Sequence, residues 1–307
     1  MKIAHLIMAH KNPAQLGRLL AALAHPDAYC FIHLDRKCDL REFAHLAELP
    51  RVQFTPRRFT VRWAAYSFTH ALLECTRDVL GSGLGVDFVN LLSGQDYPIR
   101  PANIVHEFFA RHRGYSFLSF EGEGSAWWGH AASRVERYHT TYFQFRGQYT
   151  LQKLLNTLLP RRNFPLPYDL YGGSDGSWWT LDAACAAYLV RFVDEHPRLR
   201  WFSFFTWGSD EFLIATILMN SAFRERIVNE NYRYIDWSQG EANPKLLTVA
   251  DFVRLTQTQK LYARKFDIYA DSAVLDLLDA WLQQESRRVL EARPHVEPVI
   301  HLTPADS

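Results

Sequence analysis

The feature that most constrains this chain is a repeated change of hydrophobic period, in which a short continuous apolar run gives way to a polar loop and then to apolar residues at helical spacing. Residues 3–9 (Ile-Ala-His-Leu-Ile-Met-Ala) read as a buried strand and His10-Lys11-Asn12-Pro13 as a loop. Leu16, Leu19, Leu20 and Leu23 then recur at the spacing of one helix face. The unit repeats. Residues 29–34 form a second strand ending at Asp35-Arg36-Lys37, and Val52-Gln53-Phe54 a short third. A helix is expected from Trp63 to Leu80, with Ala64, Phe68, Leu72, Cys75 and Val79 on one side and Gly81 as its stop. Val86 to Leu92 is a further strand that runs into Ser93-Gly94-Gln95-Asp96-Tyr97-Pro98, followed by a helix from Pro101 to His112. Strands apolar on both faces, alternating with amphipathic helices, predict an α/β fold with a mostly parallel central sheet flanked by helices. Polar clusters at the carboxyl ends of such strands lie where open α/β sheets bind ligands.

From Phe120 to Tyr168 the periodicity gives way to Gly, Ser, aromatic and basic residues, which predicts loops with one helix around Leu151 to Leu159. Order resumes with a strand at Trp178-Trp179-Thr180-Leu181 and helices from Asp182 to Glu195 and from Asp210 to Ser221. A strand at Tyr232–Trp237, a short helix from Thr248 to Leu255 and a terminal helix from Ser272 to Glu291, with Leu275, Leu278 and Leu282 inward, complete the chain. This predicts a single domain over residues 1–295 and a loose tail at 296–307.

Of the 307 residues 48% are hydrophobic and 22% charged, which supplies a large core and excludes a disordered or fibrous chain. Net charge is +1 with Lys and Arg scattered, so no nucleic-acid footprint or anionic-membrane signature is visible and the expected partner is a small molecule or glycan. The apolar stretch Ala183 to Val193 is broken by Arg191 and falls short of the roughly 20 residues of a membrane span. The apolar run before His10 is shorter than the ~7–15 residues of a signal-peptide core, so the expected location is cytoplasmic. Cys30, Cys38, Cys75 and Cys185 show no C-x-x-C spacing and read as core thiols, with a Cys30–Cys38 disulfide as the lesser alternative.

Polar clusters that interrupt apolar segments are individually unspecific. In order, His33-Leu34-Asp35-Arg36-Lys37, Ser93-Gly94-Gln95-Asp96-Tyr97-Pro98-Ile99, Gly176-Ser177-Trp178-Trp179-Thr180-Leu181, Ser209-Asp210-Glu211-Phe212, Asn231-Tyr232-Arg233-Tyr234-Ile235-Asp236-Trp237 and Tyr262-Ala263-Arg264-Lys265-Phe266-Asp267 together resemble the core-2/I-branching enzyme and peptide O-xylosyltransferase family, glycosyltransferase family 14. The resemblance spans roughly residues 3–270. It implies a GT-A-like fold and inverting transfer from a UDP-sugar to an acceptor hydroxyl, without a divalent metal or other cofactor. It also implies a nucleotide-binding half at 1–119, an acceptor and catalytic half at 120–270 and a C-terminal helix at 271–295. No Asp-x-Asp triplet stands at a strand end, where metal-dependent enzymes of that fold class hold their ion.

By similarity, Arg264 and Lys265 correspond to the family's diphosphate-binding pair. A departing nucleoside diphosphate gains negative charge as its bond to the sugar breaks, so preorganised cations stabilise the transition state more than the ground state. Inversion needs a base to take the acceptor's proton, and Glu211 occupies the position of the family's catalytic Glu, with Ser209 where relatives carry Pro. Similarity places Met8, Asp35, Val61, Arg62 and Trp63 around the nucleoside, Arg62 departing from the family's pattern and Trp63 reading equally as a core residue. Ser177 and Trp178 fall at the donor-sugar subsite, where some relatives have Asp-Trp and where Asp175 is a possible substitute within a Gly-rich turn. Asn243 and Lys245 match a segment near the phosphates, and Asp96 reads either as a donor-sugar contact or as a bond within its own loop. Trp127, Trp128, His130, Tyr138 and His139 read partly as an acceptor-stacking surface and partly as core.

Two other functions compete with the transferase: a catalytically silent nucleotide-sugar or glycan-binding module on the same fold, and a glycoside hydrolase. The latter needs facing carboxylates about 5–9.5 Å apart. Asp210 and Glu211 are sequence neighbours on a helix start and point apart.

Overall fold

The computed structural model describes residues 1–292. Its strands are β1 Ile3–Ala9, β2 Ala28–Leu34, β3 Val52–Phe54, β4 Phe88–Ser93, β5 Asp96–Pro98, β6 Ser116–Leu118, β7 Glu121–Gly122, β8 Tyr171–Gly172, β9 Trp179–Asp182, β10 Ile227–Asn229, β11 Arg233–Ile235 and β12 Tyr262–Arg264. A seven-stranded sheet runs β10-β6-β9-β4-β1-β2-β3, a three-stranded sheet β11-β12-β5, and β7 pairs with β8. β4, β1, β2 and β3 are mutually parallel, as the strand-helix alternation predicts. β9 is inserted antiparallel between β4 and β6, a reversal with no mark in the sequence.

Every residue of β1 is buried, and alternate side chains feed two separate cores. Ile3 and Ile7 join Leu16 and Leu19 of the helix Pro13–Ala22 and Leu275 and Leu278 of the terminal helix Ala273–Ala292. Ala4, Leu6 and Met8 join Leu72 and Cys75 of the helix Tyr66–Leu80 and Cys185 and Leu189 of the helix Ala183–Glu195. All four cysteines are free; Cys30, Cys75 and Cys185 are core thiols and Cys38 is partly exposed.

One polar row crosses the apolar sheet. The registers align His5 of β1 with Asn90 of β4 and Asn90 with Thr180 of β9. Asn90 Nδ2 lies 2.9 Å from His5 Nδ1, and Asn90 Oδ1 accepts from Thr180 Oγ1 at 2.8 Å. Burial lowers His5 to about 3, so the imidazole is neutral. Arg233, on β11 of the small sheet, reaches into this row. Its Nη2 donates to Asn90 Oδ1 at 2.6 Å, Leu91 O at 2.8 Å and Trp179 O at 2.9 Å, and its Nη1 to Asn231 O at 2.5 Å. One guanidinium thus bridges the two sheets.

Several expectations are corrected. The helix expected from Trp63 begins at Tyr66, because Ala64 adopts a left-handed φ of 53° and Ala65 is extended. Residues 62–65 form a turn instead, closed by Ala65 N donating to Arg62 O. The segment from Phe120 to Tyr168 holds a second helix, Ala126–Glu136, whose Ser125 cap and inward Trp128, Ala131 and Val135 are conventional signals masked by the surrounding polar and aromatic residues. The helix expected from Asp210 divides into a 3₁₀ turn at Ser209–Glu211 and the helix Leu213–Met219, and a further helix, Pro197–Phe204, begins at a Pro. The tail at 296–307 lies outside the described residues.

Replacing Arg233 with Met should strip its donors from four buried acceptors and reduce stability by on the order of 3 kcal/mol. Chemical denaturation would measure this, and a midpoint unchanged from wild type would rule out Arg233 as the tie between the sheets.

Candidate active site

The carboxyl ends of β1, β2 and β4 open into a cleft of ≈ 370 Å³, within the ~300–1,000 Å³ range of small-molecule sites. Of the residues singled out in the sequence, Met8, Asp35, Val61, Arg62, Trp63, Ser177, Trp178, Glu211, Asn243, Arg264 and Lys265 line it. Residues as far apart in sequence as Met8 and Lys265 meet there.

Arg264 ends β12 directly opposite Asp96 of β5 in the antiparallel register, with 3.6 Å between Nε and Oδ1. Its guanidinium stacks 3.8 Å from the Trp178 ring centroid. Only 9% of Arg264 is exposed, and its Nε and Nη1 are buried without a hydrogen-bond partner among the described residues. Burial lowers its pKa, opposed by Asp96 and Asp175. Lys265 is half-buried, 3.5 Å from Asn243 Oδ1, and is also shifted down by burial and by Arg264. The following backbone is fixed by amides. Phe266 N donates to Gln95 O at 2.9 Å, Gln95 and Gln15 both donate to Phe266 O, and Gln15 Oε1 accepts from Ile268 N.

Asp96 is 1% exposed, and its carboxylate accepts from Ser93 N at 2.9 Å and Ser93 Oγ at 2.7 Å. It closes its own loop and faces Arg264, and it is not among the cleft-lining residues. Lys245 is also outside the lining, its Nζ 2.6 Å from Asp251 Oδ1. Asp175 accepts from Trp237 Nε1 at 2.8 Å. Asp35 uses its carboxylate on Lys37 N and Val61 N, pinning the segment that carries Arg62 and Trp63. Trp63 is 65% exposed and meets Trp207 edge-on at 5.4 Å, so it belongs to the cleft wall and not to the core. Arg62 lines both the cleft and the adjoining groove and donates from Nη1 to Tyr142 O.

Glu211 sits in the 3₁₀ turn at the cleft floor. Its backbone carbonyl accepts from Gly173 N at 3.0 Å, and a Cβ on Gly176 would stand 2.4 Å from that carbonyl oxygen. Gly176, and Gly172 whose added Cβ would stand 2.6 Å from Phe212 Cβ, are therefore required by close approach. Burial, reinforced by the Asp210 carboxylate, pushes Glu211 up to about 7 against the opposing Arg134. Arg134, absent from the sequence-based set, hydrogen-bonds Glu211 Oε2 and lies over the Trp207 and Trp127 rings at 4.1 and 5.0 Å. The amphipathic period of Ala126–Glu136 marks its helix, while its role comes from tertiary contacts. Ser177 Oγ donates to Asp210 Oδ2 at 2.5 Å, and both line the cleft. Ser209, in place of Pro, hydrogen-bonds Thr69 Oγ1 at 2.8 Å.

Beyond Trp63 and Ser174 the cleft adjoins an open groove of ≈ 880 Å³ lined by Trp127, His130, His139 and Trp207 among others. Trp128 and Tyr138 do not line it: Trp128 packs on Phe212, and Tyr138 packs on Phe205 beside Arg162. Among the described residues no cluster of three or more His, Cys, Asp or Glu is arranged to hold a metal ion.

The sequence profile of the family described as Core-2/I-Branching enzyme matches residues 3–261. Xylosyltransferase 2 of Homo sapiens is 28% identical over 308 residues, covering 91% of this chain and 33% of that protein. Xylosyltransferase 1 of Canis lupus familiaris is 25% identical over 310 residues, covering 92% and 31%. The chain thus spans about a third of the length of these curated relatives. Among solved structures, galactosyltransferase LgtC in complex with donor and acceptor sugar analogs aligns at TM-score 0.44 and 9% identity, covering 90% of this chain and 95% of that one. Mouse xyloside xylosyltransferase 1 aligns at TM-score 0.38 and 11% identity, covering 85% and 97%. The central sheet is mostly parallel and flanked by helices, and the chain belongs to the core-2/I-branching enzyme family.

Proposed function

We propose that this chain is an inverting glycosyltransferase that moves a sugar from a UDP-sugar to a hydroxyl of a glycan or glycoconjugate, with Glu211 as base and without a divalent metal. The observation that carries the reading is the buried Arg264 guanidinium, whose Nε and Nη1 have no hydrogen-bond acceptor among the described residues, beside Lys265 in the cleft that holds Glu211. Buried cationic donors without partners suit an anionic ligand, and diphosphate oxygens would satisfy them. Asp96, the nearest carboxylate to Arg264, is already engaged by Ser93 and balances the cation.

In the proposed reaction the acceptor oxygen bonds to the anomeric carbon as the bond from that carbon to the diphosphate oxygen breaks. The acceptor's proton passes to Glu211, and the charge left on UDP is met by Arg264 and Lys265. A carboxylate raised to about 7 suits a base acting near neutral pH. Arg134 orients that carboxylate and favours its ionised form, as its opposing effect on Glu211 indicates. Around the nucleoside, Met8, Asp35 and Val61 form the wall, and the pair Ser177 and Asp210 offers a hydroxyl and a carboxyl group to the donor sugar. Support for a sugar acceptor comes from the adjoining groove, whose Trp127 and Trp207 present rings of the kind that stack on sugar faces.

Glu211→Gln is expected to lower kcat by about 10²–10⁴-fold while a UDP-sugar still raises the protein's Tm. Retained turnover would remove Glu211 from the mechanism.

Because the base acts ionised, kcat should fall as pH drops through about 7. Arg134→Met removes a cation that lowers the Glu211 pKa, so this acidic limb should move to higher pH. A limb that stays in place would refute the pairing.

Arg264→Ala with Lys265→Ala should abolish the UDP-dependent Tm shift, and added Mg²⁺ or Mn²⁺ should not restore turnover. Loss of wild-type turnover in EDTA would sink the metal-independent reading.

A further inference from the structure

Surface helices of globular proteins turn their apolar stripe to the core. The helix Gln148–Leu158 does the reverse. None of its residues is buried. Its attachment to the body is polar: Gln152 Oε1 accepts from Thr140 N at 2.9 Å, while Asn156 accepts from Tyr138 N at 2.8 Å and donates to Tyr138 O at 2.7 Å. Leu151, Leu154 and Leu158, spaced i, i+3 and i+7 on one stripe, face away from these amides. Leu154 is 52% and Leu158 71% exposed, and Phe143, Phe145, Tyr149 and Leu159 extend the exposed apolar surface at both ends of the helix.

Charge around this stripe has one sign. Residues 137–168 contain no Asp or Glu, whereas Arg137, Arg146, Lys153 and Arg161 are exposed. Arg161 shares Glu136 at 2.9 Å; for Arg146 and Lys153 no ion pair is present among the described residues. Exposed Leu and aromatic side chains flanked by cations are the chemistry of an amphipathic segment lying in a lipid interface, where acyl chains take the apolar face and anionic headgroups meet the basic flank. The one-signed charge of this segment is already present in the sequence; the fold adds the outward orientation of the leucines.

We propose that Gln148–Leu158, with the preceding residues 143–146, is an interfacial membrane-binding element selective for anionic lipid. Because Gln148, Tyr149 and Gln152 also line the open groove, a bound membrane would lie beside the groove's mouth. This inference does not depend on the chemistry proposed for the cleft.

Flotation of the full chain with phosphatidylcholine vesicles, with and without phosphatidylglycerol, tests it. The chain should float with the phosphatidylglycerol vesicles and be released by high salt, which screens the basic flank. Leu154→Gln with Leu158→Gln should reduce binding by at least about tenfold at unchanged Tm, since both side chains are exposed. Arg146→Gln with Lys153→Gln should abolish the preference for phosphatidylglycerol. Failure of the wild type to float, or equal flotation of the leucine variant, overturns the proposal. Sedimentation equilibrium supplies a second readout: an oligomer that the leucine variant dissociates would make the stripe a protein interface and overturn it as well.

Discussion

The Arg233 guanidinium is the interaction on which the arrangement of the cleft depends. It carries a cation from β11 into the polar row of β1, β4 and β9, where three acceptors on two strands receive it. Burial lowers its pKa to about 10, so the charge persists and the acceptors are needed to hold it. β12 pairs with β11 and β5 in turn, so the placement of Arg264 follows from where Arg233 is anchored.

That scaffold concentrates charge in an otherwise apolar interior. Arg233 and Arg264 are both nearly enclosed, and Asp96 is the carboxylate close enough to compensate both. Arg264 lines the cleft, with its Nε 3.6 Å from Asp96 Oδ1 and its face covered by the Trp178 ring. On the other side, Glu211 is raised by burial and by Asp210, and Arg134 partly restores it. A buried cation whose pKa is lowered and a carboxylate whose pKa is raised stand in one cleft, each shift led by desolvation.

The strongly periodic elements were legible in the sequence. β1, β2 and the helices starting at Pro13 and Ala183 were recognisable because burial on both faces of a strand, or one face of a helix, leaves a direct imprint on residue order. The polar clusters at strand ends were legible as a set, and eleven of the thirteen residues singled out for the site line one cleft, Asp96 and Lys245 being the other two. Arg134 was not legible, since its importance comes from Trp127, Trp207 and Glu211, two of them over 70 residues away. Nor was the role of Arg233, which occupies an unremarkable place in a strand pattern.

By itself the sequence determined the fold class, the family and the residue types available for chemistry, because hydrophobic period and ordered motifs are properties of local chain composition. Tertiary structure alone decided the antiparallel insertion of β9, the Arg264–Asp96 register, the closure of Asp96 onto Ser93 and the diversion of Lys245 to Asp251. It also decided which way the helix Gln148–Leu158 faces, since the pattern of leucines is the same whether a stripe is turned to a core or away from it. Contacts between distant segments are fixed by packing and by the need to satisfy buried polar groups, and neither is written in the spacing of neighbouring residues.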